Sequence, residues 1–159
     1  MKEKILEKKE EIKKIFEEKG VILAYIFGSF AKGNISNLSD IDVAILFSED
    51  IPKENYFDLK LEISYLLLEI LRELKRDVDL VILNDASLIL KYQVIKYGEI
   101  IYKKDEKTRV DFEEETIKNY LDTKPIRDEN FKYLLKRIQD GKVGYVHRFR
   151  FDSKKDGNY

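Results

Sequence analysis

Cysteine is absent from this 159-residue chain, which excludes disulfides and thiolate metal sites and fits a reducing cytoplasm. An excess of either charge is absent too, since 30 basic and 31 acidic residues leave a net charge of −1. No global field therefore attracts nucleic acid or an anionic membrane, and any such role needs a local patch. Long apolar runs are missing, and none approaches the roughly 20 residues that span a bilayer. The opening segment "MKEKILEKKEEIKKIFEEKG" is charged throughout, unlike a signal peptide. Neither G-x-x-x-x-G-K-[ST] nor G-x-G-x-x-G occurs, so P-loop and Rossmann chemistry are unsupported. The single histidine, His147, cannot build a His-rich zinc site and reads as a surface residue. No internal repeat is found.

What remains is a globular composition, 43% apolar, in a length that suits one domain with a real core. The 38% of charged residues, mostly Lys and Glu, resembles the usage of thermophiles. Residues 2–19 pattern as an amphipathic helix with Ile5, Ile12, Ile15 and Phe16 in one stripe, ended by Gly20. "VILAYIF" (21–27) reads as a buried strand, followed by a loop rich in Gly, Ser and Asn. "DIDVAILF" (40–47) is a second strand, and 55–75 a long helix, apolar around much of its surface and expected in the centre. "DVDLVIL" (77–83) is a third strand, after which Asn84 or Asp85 is expected to cap a helix that Gly98 ends. "EIIY" (99–102) is a short edge strand, and 106–121 and 128–140 are helices separated by "DTKPIRD". The Tyr and Phe residues within 109–133 lie at helical spacing and are expected in a core or partner interface. This order predicts an α/β (α+β) fold, a small mixed sheet flanked by helices. The chain divides into a core (1–105), a helical extension of the same domain (106–140) and a tail (141–159). In the tail, "HRFRF" reads as an edge strand or mobile terminus rather than an RNA-stacking surface.

The chemistry concentrates where the loop meets the second strand. Asp40 and Asp42 are two positions apart on a strand, so their carboxylates face one side and raise each other's pKa unless a cation is shared. Oxygen-only ligands suit Mg²⁺ or Mn²⁺. A third carboxylate on a neighbouring strand, Asp77 or Asp79, would complete a platform for two ions about 3.5–4 Å apart, as used in phosphoryl displacement. An Asp-x-Asp alone is a weak signal, because this chain contains two. The added weight comes from Gly28–Ser29, directly after a strand and ten residues before Asp40. Glycine lets backbone N–H groups approach a phosphate, and the serine hydroxyl adds a donor.

"GSFAKG" followed by "SDIDVAIL" resembles the signature of the polymerase-β-like nucleotidyltransferase superfamily. The resemblance implies the nucleotidyltransferase fold, with two metal ions on Asp40, Asp42 and a third acid. That acid falls on Asp79, which directly precedes the apolar run "LVIL". It implies that Gly28 and Ser29 contact the phosphates of a nucleoside triphosphate, and Lys32 is a further candidate for holding phosphate. "LILKYQVIKYGEIIYKKD" and "RVDFEEETIKNYLDTKPI" look similar to the minimal nucleotidyltransferases, antitoxin partners of HEPN-domain toxins. The implied activity is AMP transfer from ATP to a tyrosine of the toxin, in the cytoplasm, within a hetero-oligomer and without direct nucleic-acid binding. Two alternatives stand beside it: transfer to a small molecule such as an aminoglycoside, and a non-catalytic antitoxin acting by occlusion.

Overall fold

A computed structural model describes residues 7–28 and 40–141. Four strands form one sheet: β1 (Val21–Phe27), β2 (Ile41–Phe47), β3 (Val78–Ile82) and β4 (Glu99–Lys103). Their order is β3-β2-β1-β4, with β1 antiparallel to β2 and β4, while β2 and β3 run parallel. A parallel pair needs a crossover. Here it is the helix α2 (Tyr56–Ile70), preceded by α1 (Lys9–Glu18) at the start of the chain. Helices α3 (Leu88–Tyr97), α4 (Glu106–Asp122) and α5 (Lys124–Gln139) complete the elements. The mixed sheet flanked by helices is the architecture the sequence predicts. Among the described residues no helix is long and apolar enough to cross a membrane.

Strand alternation sorts the core into two faces. Ala24 and Ile26 of β1, Ile41, Val43, Ile45 and Phe47 of β2, and Leu80 of β3 pack on one side. They meet Ile12, Ile15 and Phe16 of α1 and Ile63 and Leu67 of α2. Leu23, Tyr25 and Ala44 face the other side and meet Val94 of α3, with Leu90 and Phe112 at the margin. Helices α3 and α4 contact β1, and α4 also reaches β4. Gly20 ends α1 in the left-handed region (φ +73°), as its place after the helix predicts.

Several boundaries differ from expectation, each for a local reason. Helix α2 stops at Ile70 and tightens into a 3₁₀ turn, Arg72–Leu74, that turns the chain toward β3. It also does not lie in the centre. Against one face of the sheet it can bury only one side, leaving Phe57, Leu61 and Tyr65 at 67%, 53% and 64% exposure. Ser87, not Asn84 or Asp85, caps α3, its hydroxyl accepting from the Leu90 N–H at 3.3 Å. The Asn84 side chain is engaged elsewhere, accepting from the Phe47 N–H (2.9 Å) and donating to the Phe47 carbonyl (3.0 Å). "DTKPIRD" is not a broad break, because Pro125 sits in the first turn of α5, where no N–H partner is required.

Residues 1–122 and 123–159 form two compact units. Within its described part the second unit is α5, which buries no residue and exposes Phe131, Leu134, Leu135 and Ile138. Ile5, His147 and the "HRFRF" segment lie outside the described residues.

Candidate active site

The β2–β3 register brings Asp42 directly opposite Asp79. Both alternate away from the face formed by Val43 and Leu80, so their carboxylates project to the same side of the sheet. On its other flank Asp42 pairs with Phe27, the last residue of β1. Asp40 stands one residue before β2 and is exposed at its mouth, near enough to act on Asp42 electrostatically. Asp77 lies just outside β3, and its carbonyl accepts from the Ile41 N–H at 2.8 Å, which pins the strand starts together. Ser29 and Lys32 lie outside the described residues.

Gly28 follows Phe27 with φ +73°, a left-handed conformation that favours glycine. A Cβ built there would overlap the Asp42 carboxylate. The sequence suggests Gly28 as a phosphate contact. The structure adds that Gly28 is small because the Asp42 side chain lies against it, which only cross-strand register reveals.

Burial pushes the Asp42 carboxyl above its usual range, and the nearby charges of Asp79 and then Asp40 push it further. Among the described residues, no three carboxylate or imidazole side chains are gathered closely enough to hold a metal ion as they stand. The donor set nonetheless fits a hard divalent cation. It is all oxygen, it spans two strands about 4.8 Å apart, and the charge it lacks is positive.

On this face of the sheet α3 and α4 pack over β1, and α4 also over β4. Part of that packing is fastened by a link across the layers, in which the buried Tyr25 hydroxyl donates to Glu113 of α4 at 2.9 Å. Glu113 also pairs with Arg109, which in turn pairs with Glu106. Burial, and then the Glu113 carboxylate, raise the Tyr25 hydroxyl's pKa, which keeps it a donor. Sequence reasoning misses this link. Its one visible signal is a hydroxyl-bearing side chain in the otherwise apolar run "VILAYIF".

Comparison with known proteins identifies the family and the fold. Residues 10–107 match the family described as polymerase beta, nucleotidyltransferase. The chain is 32% identical over 80 residues to the protein adenylyltransferase MntA of Shewanella oneidensis, a match covering 50% of this chain and 52% of that protein. It thus spans about half the length of the curated relative it matches. A crystal structure of a toxin–antitoxin with AMP-PNP superposes with a TM-score of 0.65 at 26% identity, covering 80% of this chain and 98% of the other. A second solved structure, a tri-AMPylated Shewanella oneidensis HEPN toxin in complex with its MNT antitoxin, shares the fold. Its TM-score is 0.61 at 23% identity, over 82% of this chain and 98% of the other. With the match spanning most of the chain and the paired aspartates lying in register beside Gly28, this chain belongs to the polymerase beta nucleotidyltransferase family.

Proposed function

We propose that this protein is a metal-dependent protein adenylyltransferase that transfers AMP from ATP to a tyrosine of a HEPN-domain toxin, acting as its antitoxin. The carrying observation is the in-register Asp42–Asp79 pair, next to a left-handed glycine against which the Asp42 carboxylate lies. Asp40, Asp42 and Asp79 would hold Mg²⁺ or Mn²⁺, which when bound supplies positive charge to the triphosphate and lowers the acceptor hydroxyl's pKa. Gly28 and Ser29 would offer N–H and hydroxyl donors to the phosphates, with Lys32 adding charge. The tyrosine oxygen attacks the α-phosphorus, the bond between the α-phosphorus and the bridging oxygen breaks, and pyrophosphate leaves. The tyrosine proton passes to Asp79. Most of the rate enhancement then comes from positioning and charge stabilisation. The match to a protein named adenylyltransferase and the likeness to a toxin–antitoxin with AMP-PNP support the choice of nucleotide and partner. The absence of cysteine supports a cytoplasmic location.

The test is incubation with α-labelled ATP, Mg²⁺ and a purified HEPN-domain toxin. Label on a tyrosine of that protein is the expected result. Toxin silencing with no label at any partner concentration would replace transfer by occlusion.

A further inference from the structure

Helix α3 lies on the face of the sheet toward which Asp42 and Asp79 project, where Val94 packs with Leu23, Tyr25 and Ala44. The helix ends at Tyr97, and β4 begins two residues later with Glu99 in register with Ile26. A Cβ at Gly98 would stand 3.2 Å from the Ile26 carbonyl oxygen and 3.4 Å from the Tyr25 Cβ, so the helix end lies directly on β1. The next strand residue, Phe27, pairs with Asp42. Tyr97 therefore stands at the carboxylate end of the sheet, on the β1 flank where Gly28 leaves the strand.

An exposed aromatic ring is ordinary on its own, and Tyr97, at 47% exposure, is one of five exposed aromatic side chains among the described residues. Its place separates it from the others. Phe57 and Tyr65 sit on α2, which packs against the opposite face, and Phe131 and Tyr133 belong to the second unit. Tyr97 follows Leu90 and Val94 along one stripe of α3, at a spacing that keeps all three on one side of the helix. Those two pack on the core, and Tyr97 carries the stripe to the end of the sheet where Phe27 and Asp42 lie. Its ring is also braced. The Lys96 ammonium lies 4.9 Å from the Tyr97 centroid and 5.9 Å from that of Tyr92, and Tyr92 stacks on Tyr120 of α4 at 3.7 Å. An ammonium occupies one face of a ring, which leaves a flat π-face for a second partner.

We propose that Tyr97 is the nucleobase platform of the site, its ring stacking on the purine of the nucleotide whose phosphates lie at Gly28 and Asp42. This rests on the reading of the site, proposed above, as one that takes a nucleoside triphosphate. Gly28 and the carboxylates serve phosphate and metal, which every nucleoside triphosphate brings, so they leave the base unread. A flat aromatic face on the same flank supplies what they lack. Stacking favours the larger purine surface over a pyrimidine without choosing between adenine and guanine, because every base has a π-face. Tyr97 thus acts on affinity and base class, not on the bond-making step.

The test measures Mg²⁺-dependent binding of ATP, GTP, CTP and inorganic triphosphate, without acceptor, to the wild type, Tyr97→Leu and Tyr97→Phe. Tyr97→Leu should raise the Kd of ATP and GTP about tenfold and leave that of inorganic triphosphate unchanged. Tyr97→Phe keeps the ring and should bind as the wild type does, which separates a π-face from mere bulk or a hydroxyl. The wild type should bind ATP and GTP more tightly than CTP. In AMP transfer to a HEPN-domain toxin, Tyr97→Leu should raise the ATP KM with kcat at saturating ATP near the wild-type value. An ATP Kd unchanged in Tyr97→Leu would overturn the proposal, even where the wild type transfers AMP. So would equal losses for ATP and inorganic triphosphate, which would put Tyr97 at the phosphates, or a wild type that prefers CTP. Purine binding that depends on Tyr97 without AMP transfer would leave the platform standing and remove the adenylyltransferase reading.

Discussion

The two ends of the parallel β2–β3 pair are held by opposite means. At the start, Asp42 faces Asp79 with Asp40 nearby, and burial and like charge both disfavour the ionised state. At the finish, the Asn84 side chain closes two hydrogen bonds on the Phe47 backbone, which is buried. One end is unfavourable as it stands and the other is fully satisfied. The comparison teaches that the reactive end need not hold itself in register. The amide clamp and the apolar residues between do so, which leaves the carboxylates free for the cation and substrate proposed above.

Breaking the reactive end should produce the largest effect. Asp42→Asn should lower AMP transfer at least about a thousandfold, roughly 4 kcal/mol of transition-state stabilisation. Its metal-free melting temperature should match or exceed that of the wild type. Residual transfer near the wild-type rate in a Mg²⁺ and ATP assay would remove Asp42 from the site. Gly28→Ala comes next. The left-handed φ and the overlap with Asp42 together should cost about 2 kcal/mol or more of stability, and most of the activity. Denaturant titration reads the first and the transfer assay the second.

Releasing the satisfied end should cost less and act indirectly. Asn84→Ala leaves the Phe47 N–H and carbonyl without their partner, a loss of about 1–3 kcal/mol in unfolding free energy. Transfer should fall only as far as the β2–β3 register loosens, so near-wild-type activity at low temperature is expected, with a lowered midpoint. The smallest effect is the pH dependence of the reactive end. Folding raises the Asp42 pKa above its ordinary 3.8, so its stabilising contribution is present below that value. It is lost as pH rises through the higher folded value. Without metal, the melting temperature of the wild type should therefore fall relative to Asp42→Asn as pH rises from acid toward neutral. Mg²⁺ should close that gap, and a gap indifferent to both pH and Mg²⁺ would contradict the electrostatic account.

The elements were largely legible because β-branched and aromatic runs bounded by Gly, Asn and Asp leave few alternatives at 21–27, 41–47 and 78–82. Helix α2 was harder. Its apolar residues go all the way round, so no periodicity shows which side meets the sheet, and the ridge at Phe57, Leu61 and Tyr65 emerges only from packing. The cap of α3 was ambiguous because Asn84, Asp85 and Ser87 are all capable, and the choice depends on Asn84 reaching Phe47. In the site, the Gly-Ser and Asp-x-Asp spacing is local and visible. The fit of Gly28 to Asp42 and the Tyr25–Glu113 link, 88 positions apart, are properties of tertiary contact and leave little trace in composition.

The β2–β3 register also bears on when the protein becomes competent. Phe47 and Asn84 are separated by 37 positions, and the same offset brings Asp42 to Asp79. Parallel pairing across such a gap cannot nucleate as a hairpin and waits for the crossover helix to dock, a slow kind of event in folding. The aspartate pair therefore assembles late, after β1 and β2 can already have met. A chain released early from synthesis, or one refolding from denaturant, should recover its helical signal before it recovers any capacity to bind nucleotide with metal.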